Sequence, residues 1–179
     1  MVEVEERTSL LRSLKGYLAE LAESGVDELS FATLPVPELD CRCEGNPKAR
    51  LLFVMSGGGF AGESGDLLEK IVIAMGFGRE DICLLSIGSC PDGAADTWRR
   101  SLTERIALVE PEVVVALGEE AAGLLLQSDQ PLERLRGSFQ DLGGVPLMPS
   151  FHPDAILANQ ALKRDVWNDM KQVMARLGR

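Results

Sequence analysis

The chain has 179 residues, enough for one domain with a sizeable core, and 45% of them are hydrophobic while 26% are charged. A formal net charge of −10 argues against strong non-specific binding to nucleic acid, although a local basic patch remains compatible with it. No apolar stretch approaches the roughly 20 residues of a membrane span, and the acidic N-terminus is unlike a signal peptide. We therefore expect a cytoplasmic protein.

The first 49 residues predict an N-terminal helix and a linker arm. Leucines recur at helical spacing from Thr8 to Ala22, which is typical of an amphipathic helix. Residues 33–49 contain three prolines, two cysteines and a glycine, a composition that favours an irregular linker. We therefore predict an arm over residues 1–49 and one α/β domain over residues 50–179.

From residue 50 onward, apolar strands alternate with helices. The predicted strands are Arg50 to Met55, Ile82 to Ile87, Val113 to Leu117 and Val145 to Met148, and the predicted helices are Ser64 to Met75, Ala95 to Val109, Glu119 to Gln127 and Leu162 to Leu177. This alternation implies parallel strands joined by right-handed crossovers, and the unbroken apolar runs indicate burial on both faces. The sequence predicts a three-layer α/β/α sandwich with a central parallel sheet of about four strands.

A glycine loop formed by Gly57, Gly58 and Gly59 follows the first predicted strand and formally matches G-x-G-x-x-G. A dinucleotide site would also need an acidic residue at the end of the second strand, where this chain has Ser86 or Ile87. A P-loop is excluded because no Gly-Lys-Ser/Thr follows. We interpret the loop as one that lets a ligand, or another stretch of backbone, approach closely.

The only histidine, His152, follows the last predicted strand and precedes Pro153. Ligands of open α/β sheets bind at the carboxyl ends of the strands, and an imidazole there can carry a hydrogen bond or a proton near neutral pH. The alternative is a histidine that merely satisfies neighbouring backbone groups. This segment alone favours neither interpretation.

The four cysteines do not predict a metal site. Cys41 and Cys43 are closer together than a C-x₂-C knuckle, and no second close pair follows. Cys83 falls inside an apolar run and is predicted to be a small core residue. Cytoplasmic proteins rarely hold disulfides. We expect neither a metal ion nor another cofactor.

Several segments taken together resemble one family. They are Leu-Leu-Phe-Val at 51–54, Phe60-Ala-Gly62-Glu-Ser-Gly65-Asp-Leu-Leu, Met75-Gly-Phe-Gly-Arg-Glu-Asp-Ile82, Pro111-Glu-Val-Val-Val-Ala-Leu-Gly118, Leu135-Arg-Gly137, Pro149-Ser-Phe-His-Pro153 and Lys163-x-x-x-Trp167-x-Asp169. In this order and spacing, from Arg50 to the C-terminus, they resemble the uracil-DNA glycosylase superfamily, closest to its iron–sulfur type.

The resemblance implies an activity and a partner. Such enzymes flip a damaged base out of DNA and hydrolyse its N-glycosidic bond, as in base excision repair. The transition state combines an oxocarbenium-like sugar with a departing base anion. By resemblance, His152 would hydrogen-bond the developing oxyanion and Phe60 would stack on the base, while Pro153, Arg136 and Gly137 would belong to a loop that contacts DNA.

This chain departs from the family pattern at two positions. Ser56 stands where the family has the acid that positions or activates water, and Ser86 replaces the asparagine that reads the base. A hydroxyl cannot make the paired donor and acceptor contacts of an amide. Glu63, Asp66 and Asp154 are the candidates for the missing acid. With Phe60 and Ser86, the glycines of the loop would form the base-binding surface.

The cluster ligands of the iron–sulfur type also carry over poorly. Cys90 matches one ligand, Trp98 falls where another cysteine belongs, and Cys41 and Cys43 have the wrong spacing for the remaining pair. The resemblance therefore does not extend to an iron–sulfur cluster in this chain.

Two functions follow from the resemblance. In the first, the protein is a divergent glycosylase in which His152, with Ser56 in the place of the acid, serves catalysis. In the second, it is an inactive member of the superfamily that binds a nucleobase, a nucleotide or a protein partner. Retention of His152, Pro153 and Phe60 favours the first, whereas the acidic charge and the loss of the acid and the asparagine favour the second.

Overall fold

The computed structural model describes residues 41–91 and 93–178, all of which belong to one compact unit. The helix predicted from Thr8 to Ala22 lies outside the described residues. Within them, no helix combines the length and the apolar character that crossing a bilayer demands.

A six-stranded sheet forms the centre of the described part of the chain. Its strands are β1 (Cys41–Gly45), β2 (Leu51–Ser56), β3 (Ile82–Ile87), β4 (Val113–Leu117), β5 (Gln140–Leu142) and β6 (Val145–Ser150), arranged in the order β1-β3-β2-β4-β6-β5. The four central strands are parallel, and β1 and β5 pair antiparallel at the two edges. The predicted parallel sheet is confirmed, and two antiparallel edge strands extend it.

Helices cover the sheet. They are α1 (Gly62–Ala74), α2 (Ala95–Val109), α3 (Glu119–Leu126), α4 (Leu132–Leu135), α5 (Pro153–Ala158) and α6 (Lys163–Arg176), with 3₁₀ turns at Arg79–Asp81 and Gln160–Leu162. Helix α1 packs with α5, and α2 packs with α3. The architecture is the α/β/α sandwich that the sequence predicts.

Strands β2, β3 and β4 supply the middle of the core. Every residue of β3 and β4 is buried, as is every residue of β2 except Ser56 at its end. Burying one large aliphatic or aromatic side chain contributes about 1.5–3 kcal/mol, so these strands dominate the stabilisation of the fold. Cys83 is fully buried among them, as predicted. Their burial on both faces explains why the apolar runs do not alternate.

Strand β1 lies within residues 33–49, for which the sequence predicts a linker. Its register pairs Arg42 with Ser86 and Glu44 with Leu84. Because side chains alternate along a strand, Arg42 and Glu44 share one face and the cysteines Cys41 and Cys43 share the other. The edge strand thereby brings two charged side chains to the carboxyl end of β3.

Candidate active site

His152 sits between β6 and α5, at the edge of the sheet where the parallel strands end. It is the N-cap of α5, and its Nδ1 accepts a hydrogen bond from the backbone N–H of Asp154 at 3.2 Å. Its Nε2 lies 3.0 Å from the carbonyl oxygen of Ser56. Because a carbonyl oxygen only accepts, Nε2 carries the proton in the neutral ring. The imidazole therefore presents an N–H at the end of β2.

Gly118 allows the imidazole to reach that position. Strand β4 lies between β2 and β6, and Gly118 follows it with a φ of 95°, a conformation that favours glycine. A Cβ at this residue would lie 3.2 Å from the Cβ of His152. The backbone N–H of Gly118 donates to the carbonyl of Ser150 at 2.8 Å, and this hydrogen bond joins the end of β4 to the end of β6.

Asp154 is the acid beside the imidazole. Its Oδ2 lies 3.2 Å from Nδ1 of His152, and the hydroxyl of Ser64 donates to its Oδ1. Of the three candidates for the missing acid, Asp154 is therefore the one that contacts the histidine. Glu63 and Asp66 are exposed on the first turns of α1. On a doubly protonated ring, Nδ1–H would donate to the Asp154 carboxylate.

A polar pocket of about 280 Å³ opens next to this row of strand ends. It is lined by Arg42, Gly57, Gly58, Ser86 and Gly88. The Ser86 side chain is 3% exposed, and its hydroxyl has no hydrogen-bond partner among the described residues. A buried polar group without a partner costs about 1–3 kcal/mol, which a ligand that hydrogen-bonds to it would recover. The pocket is therefore suited to a ligand that carries polar groups along one edge of the ligand.

Gly59, the last glycine of the loop, lies against the side chains of Glu44 and Ser86. Its φ is 66°, and a Cβ built on it would lie 2.1 Å from Oε1 of Glu44 and 2.6 Å from the Ser86 hydroxyl oxygen. Side chains make this close approach, and the approach of a ligand or of another stretch of backbone to the loop stays a prediction. Glu44 thus places a carboxylate beside the pocket.

Phe60 is not among the residues that line this pocket. Its ring lies 4.4 Å from the guanidinium carbon of Arg79, and the residue is 7% exposed. Its backbone is held against α1, because a Cβ at Gly65 would lie 2.1 Å from the carbonyl carbon of Phe60. The predicted stacking of this ring on a base stays a prediction.

Arg136 is engaged inside the protein. Its Nη2 and Nε donate to the two carboxylate oxygens of Asp169 at 3.0 and 3.2 Å, and its guanidinium lies over the ring of Phe151 at 5.1 Å. The Ser150 hydroxyl donates to Asp169 at 2.7 Å. Burial raises the pKa of the Asp169 carboxyl, although Ser150 and Arg136 act in the opposite direction. This cluster fastens α6 to the end of β6, immediately before His152.

The other two residues of the predicted DNA-contacting loop also have structural contacts. Gly137 has a φ of 79°, and its carbonyl accepts a hydrogen bond from the side chain of Gln172 at 3.1 Å. Pro153 is buried as the first residue of α5. Their contact with DNA stays a prediction.

The predicted catalytic and base-binding residues thus fall into three places. The backbone of Ser56 meets His152, which itself lines a separate cavity of about 390 Å³ with Gly118 and Phe151. Gly57, Gly58 and Ser86 line the polar pocket, and Gly57 continues directly from Ser56. Phe60 lines neither of these cavities. The strand ends of β2 and β3 are adjacent, so the first two groups form one continuous edge of the sheet.

The cysteines do not fit an iron–sulfur cluster, which requires four ligands, usually thiolates. All four cysteines lie among the described residues, where no three histidine, cysteine, aspartate or glutamate side chains come together to hold a metal ion. Cys43 Sγ lies 3.2 Å from Cys83 Sγ, and burial together with this contact raises the pKa of Cys83 to about 12. Trp98, at a position where the family has a ligand, is 2% exposed in the core.

Sequence reasoning missed Arg42 and Glu44. Both lie on β1, in the segment whose prolines and glycine predict a linker. The available signal was the alternation of Cys41-Arg42-Cys43-Glu44, which has the two-residue period of a strand and places both charges on one face.

Comparison with known proteins identifies the family of this chain. The profile of the uracil DNA glycosylase superfamily matches residues 44–171, a range that runs from the end of β1 into α6. The chain belongs to this superfamily, as the resemblance of its motifs predicts.

The chain is also similar to three proteins named type-4 uracil-DNA glycosylase. It is 30% identical over 150 residues to the protein of Thermotoga maritima, covering 72% of this chain and 78% of the relative. It is 24% identical over 156 residues to the protein of Saccharolobus solfataricus, covering 73% and 72%. It is 24% identical over 154 residues to the protein of Archaeoglobus fulgidus, covering 72% and 77%. These similarities place the chain close to the type-4 members.

Proposed function

We propose that this protein removes uracil or another damaged base from DNA by hydrolysing the N-glycosidic bond of the flipped-out nucleotide. The observation that carries the proposal is the Nε2–H of His152, held at the end of β2 beside a polar pocket with an unpartnered Ser86 hydroxyl. The pocket would bind the base, and the imidazole would stand at its edge. The similarity to type-4 uracil-DNA glycosylases supports the same function.

In this mechanism the bond between the sugar C1′ and the base nitrogen breaks, and its electron pair leaves with the base. Nε2–H of His152 then donates its hydrogen bond to the developing oxyanion of the base and no longer to the Ser56 carbonyl. Hydrogen bonds of catalytic groups often rearrange in this way when substrate binds. Water adds to C1′ and loses a proton to one of the candidate carboxylates, which are Glu63, Asp66 and Asp154. The backbone N–H of Asp154 keeps the imidazole oriented through its hydrogen bond to Nδ1. Electrostatic stabilisers of this kind contribute about 10²–10³ in rate.

A second function has its own structural support. No carboxylate stands at position 56, Phe60 is covered by Arg79, and the formal net charge is −10. These features suit a protein that binds a base or nucleotide without turning it over.

The decisive experiment measures release of free base from single- and double-stranded oligonucleotides that contain uracil, hypoxanthine or xanthine. We expect release by the wild type and a loss of about 10² or more in His152→Ala. Absence of release from all of these substrates would reject the glycosylase function. Binding of a uracil or abasic oligonucleotide without turnover would then establish the binding function.

A further inference from the structure

Among the residues that the structure describes, Arg42 is the one with a charged side chain that lines the polar pocket. It comes from the edge strand β1, where the register sets it directly opposite Ser86. It is exposed, and its guanidinium forms no hydrogen bond or ion pair with the described residues. Arg79 and Arg136, by contrast, are engaged with Glu69 and Asp169. Arg42 is therefore available to a ligand.

The pocket places two complementary hydrogen-bonding groups side by side. A guanidinium only donates hydrogen bonds, whereas the hydroxyl of Ser86 can both accept and donate. Ser86 is fixed in the buried strand β3 and its hydroxyl has no partner among the residues that the structure describes. Arg42 and Ser86 together can therefore meet a carbonyl oxygen that lies next to a ring N–H.

We propose that Arg42 and Ser86 form the base-reading pair of this protein and select bases with a keto–imide edge. The inference rests on the proposed function insofar as it places a base in this pocket. Arg42 would donate to the carbonyl oxygen, and the Ser86 hydroxyl would accept from the adjacent ring N–H. Two side chains from paired strands would thus supply the donor and the acceptor that one amide provides elsewhere in the family.

The pair predicts a definite selectivity. Uracil, hypoxanthine and xanthine present a carbonyl beside a ring N–H, whereas cytosine and adenine present an amino group beside an acceptor nitrogen. An amino group facing Arg42 would oppose one donor with another. Thymine and guanine share the keto–imide edge, so the pair distinguishes keto from amino bases and does not separate damaged from normal bases.

The test measures binding of uracil, hypoxanthine, cytosine and adenine, each methylated at its glycosidic nitrogen, by isothermal titration calorimetry, without DNA and without turnover. The methyl group is needed because unmethylated cytosine presents a carbonyl beside the N–H of that nitrogen. We expect the wild type to prefer the keto bases and Arg42→Ala to weaken uracil binding at least about tenfold, the loss of a charged hydrogen bond. Arg42→Gln should bring cytosine closer to uracil, because an amide can turn its oxygen to an amino group. Arg105→Ala removes the same charge from the exposed surface of α2 and should change nothing.

The outcomes separate this inference from the proposed function. If the wild type releases base but its keto preference is the same in Arg42→Ala, the base-reading pair is wrong and the glycosylase function stands. If no base is released but Arg42→Ala removes the keto preference, the pair stands and the glycosylase function is rejected. Failure of the wild type to bind any keto base overturns the pair.

Discussion

The imidazole of His152 is hydrogen-bonded to the backbone of Ser56, with 3.0 Å between Nε2 and the carbonyl oxygen. The contact joins the loop after β6 to the end of β2, across the intervening strand β4. It depends on the peptide of Ser56 and not on its hydroxyl. The position that holds an acid elsewhere in the family therefore contributes here through its main chain.

This geometry predicts that Ser56→Ala leaves the placement of His152 intact. We expect its base-release rate to stay close to that of the wild type, whereas His152→Ala loses about 10² or more. Single-turnover assays on a uracil oligonucleotide measure both rates. An equal loss in the two variants would show that the Ser56 hydroxyl itself takes part in the chemistry.

Asp154 is predicted to act as a positioning residue. Its carboxylate accepts a hydrogen bond from Ser64, which fixes the first turn of α5 and with it the Asp154 N–H that donates to Nδ1 of His152. Asp154→Ala should therefore loosen the ring and lower kcat about tenfold with little change in KM. Glu63→Ala and Asp66→Ala are matched controls, because both remove an exposed carboxylate from the neighbouring helix α1. If Glu63→Ala or Asp66→Ala loses more kcat than Asp154→Ala, the residue changed in that control takes the role of the missing acid.

Gly59→Ala should obstruct the polar pocket at Ser86. Its new Cβ would overlap both Glu44 and Ser86, in addition to the strain of a φ of 66°. Gly62→Ala imposes a similar strain at a φ of 73°, with nothing within 4 Å of the new methyl group. We expect both to lose some stability in denaturant unfolding, but only Gly59→Ala to lose uracil binding in calorimetry. Equal binding by the two variants would contradict this account of the loop.

Much of the fold is readable from the sequence because the central strands are buried on both faces. The predicted bounds of β3, β4 and α2 agree residue for residue with the structure. The edge strands were missed for a physical reason. Strand β1 has a single neighbour and a half-exposed, charged sequence, and β5 has only three residues, so neither produces an apolar run.

The site was only partly predictable. His152 and the glycine loop stand out because a lone histidine and consecutive glycines at strand ends are distinctive in any sequence. The surroundings of Phe60 could not be predicted, because Arg79 reaches its ring from a distant segment. The position of Arg42 next to Ser86 depends on the register of β1. The prolines and the glycine around this strand predict a linker, so the strand was not predicted.

The Arg136–Asp169 pair predicts a pH-dependent loss of stability. Burial already raises the pKa of Asp169, and Arg136→Ala should raise it further by removing the compensating charge. A folded-state pKa above the unfolded value of about 3.9 means that stability falls as the pH rises past that value. The destabilisation should therefore be small near pH 4 and reach about 3 kcal/mol at neutral pH, where Asp169 would otherwise be a buried unpaired charge.

Denaturant unfolding of Arg136→Ala and of the surface variant Arg105→Ala, each at acidic and neutral pH, measures this effect. Arg105→Ala loses the same charge from an exposed position and should show no such pH dependence. A destabilisation of Arg136→Ala that is equal at both pH values would mean that lost packing on Phe151, and not the charge of Asp169, is responsible.

Cys43 and Cys83 are predicted to be the thiols that cross-link under oxidation. Their sulfur atoms lie 3.2 Å apart, so a bond of about 2.05 Å requires only a small movement of the edge strand β1. Diamide would take up the two electrons and two protons that the thiols lose. Cys43 should start the reaction, because the raised pKa of Cys83, about 12, keeps that thiol protonated at neutral pH.

Peptide mapping by mass spectrometry should find the Cys43–Cys83 disulfide in the wild type and in Cys90→Ser, and should find no such disulfide in Cys43→Ser. The cross-link would fasten β1 to β3 in the register that sets Arg42 beside Ser86. Oxidised protein should therefore keep its affinity for uracil. A disulfide that involves Cys90 instead, or loss of uracil binding on cross-linking, would show that β1 takes a different position in solution.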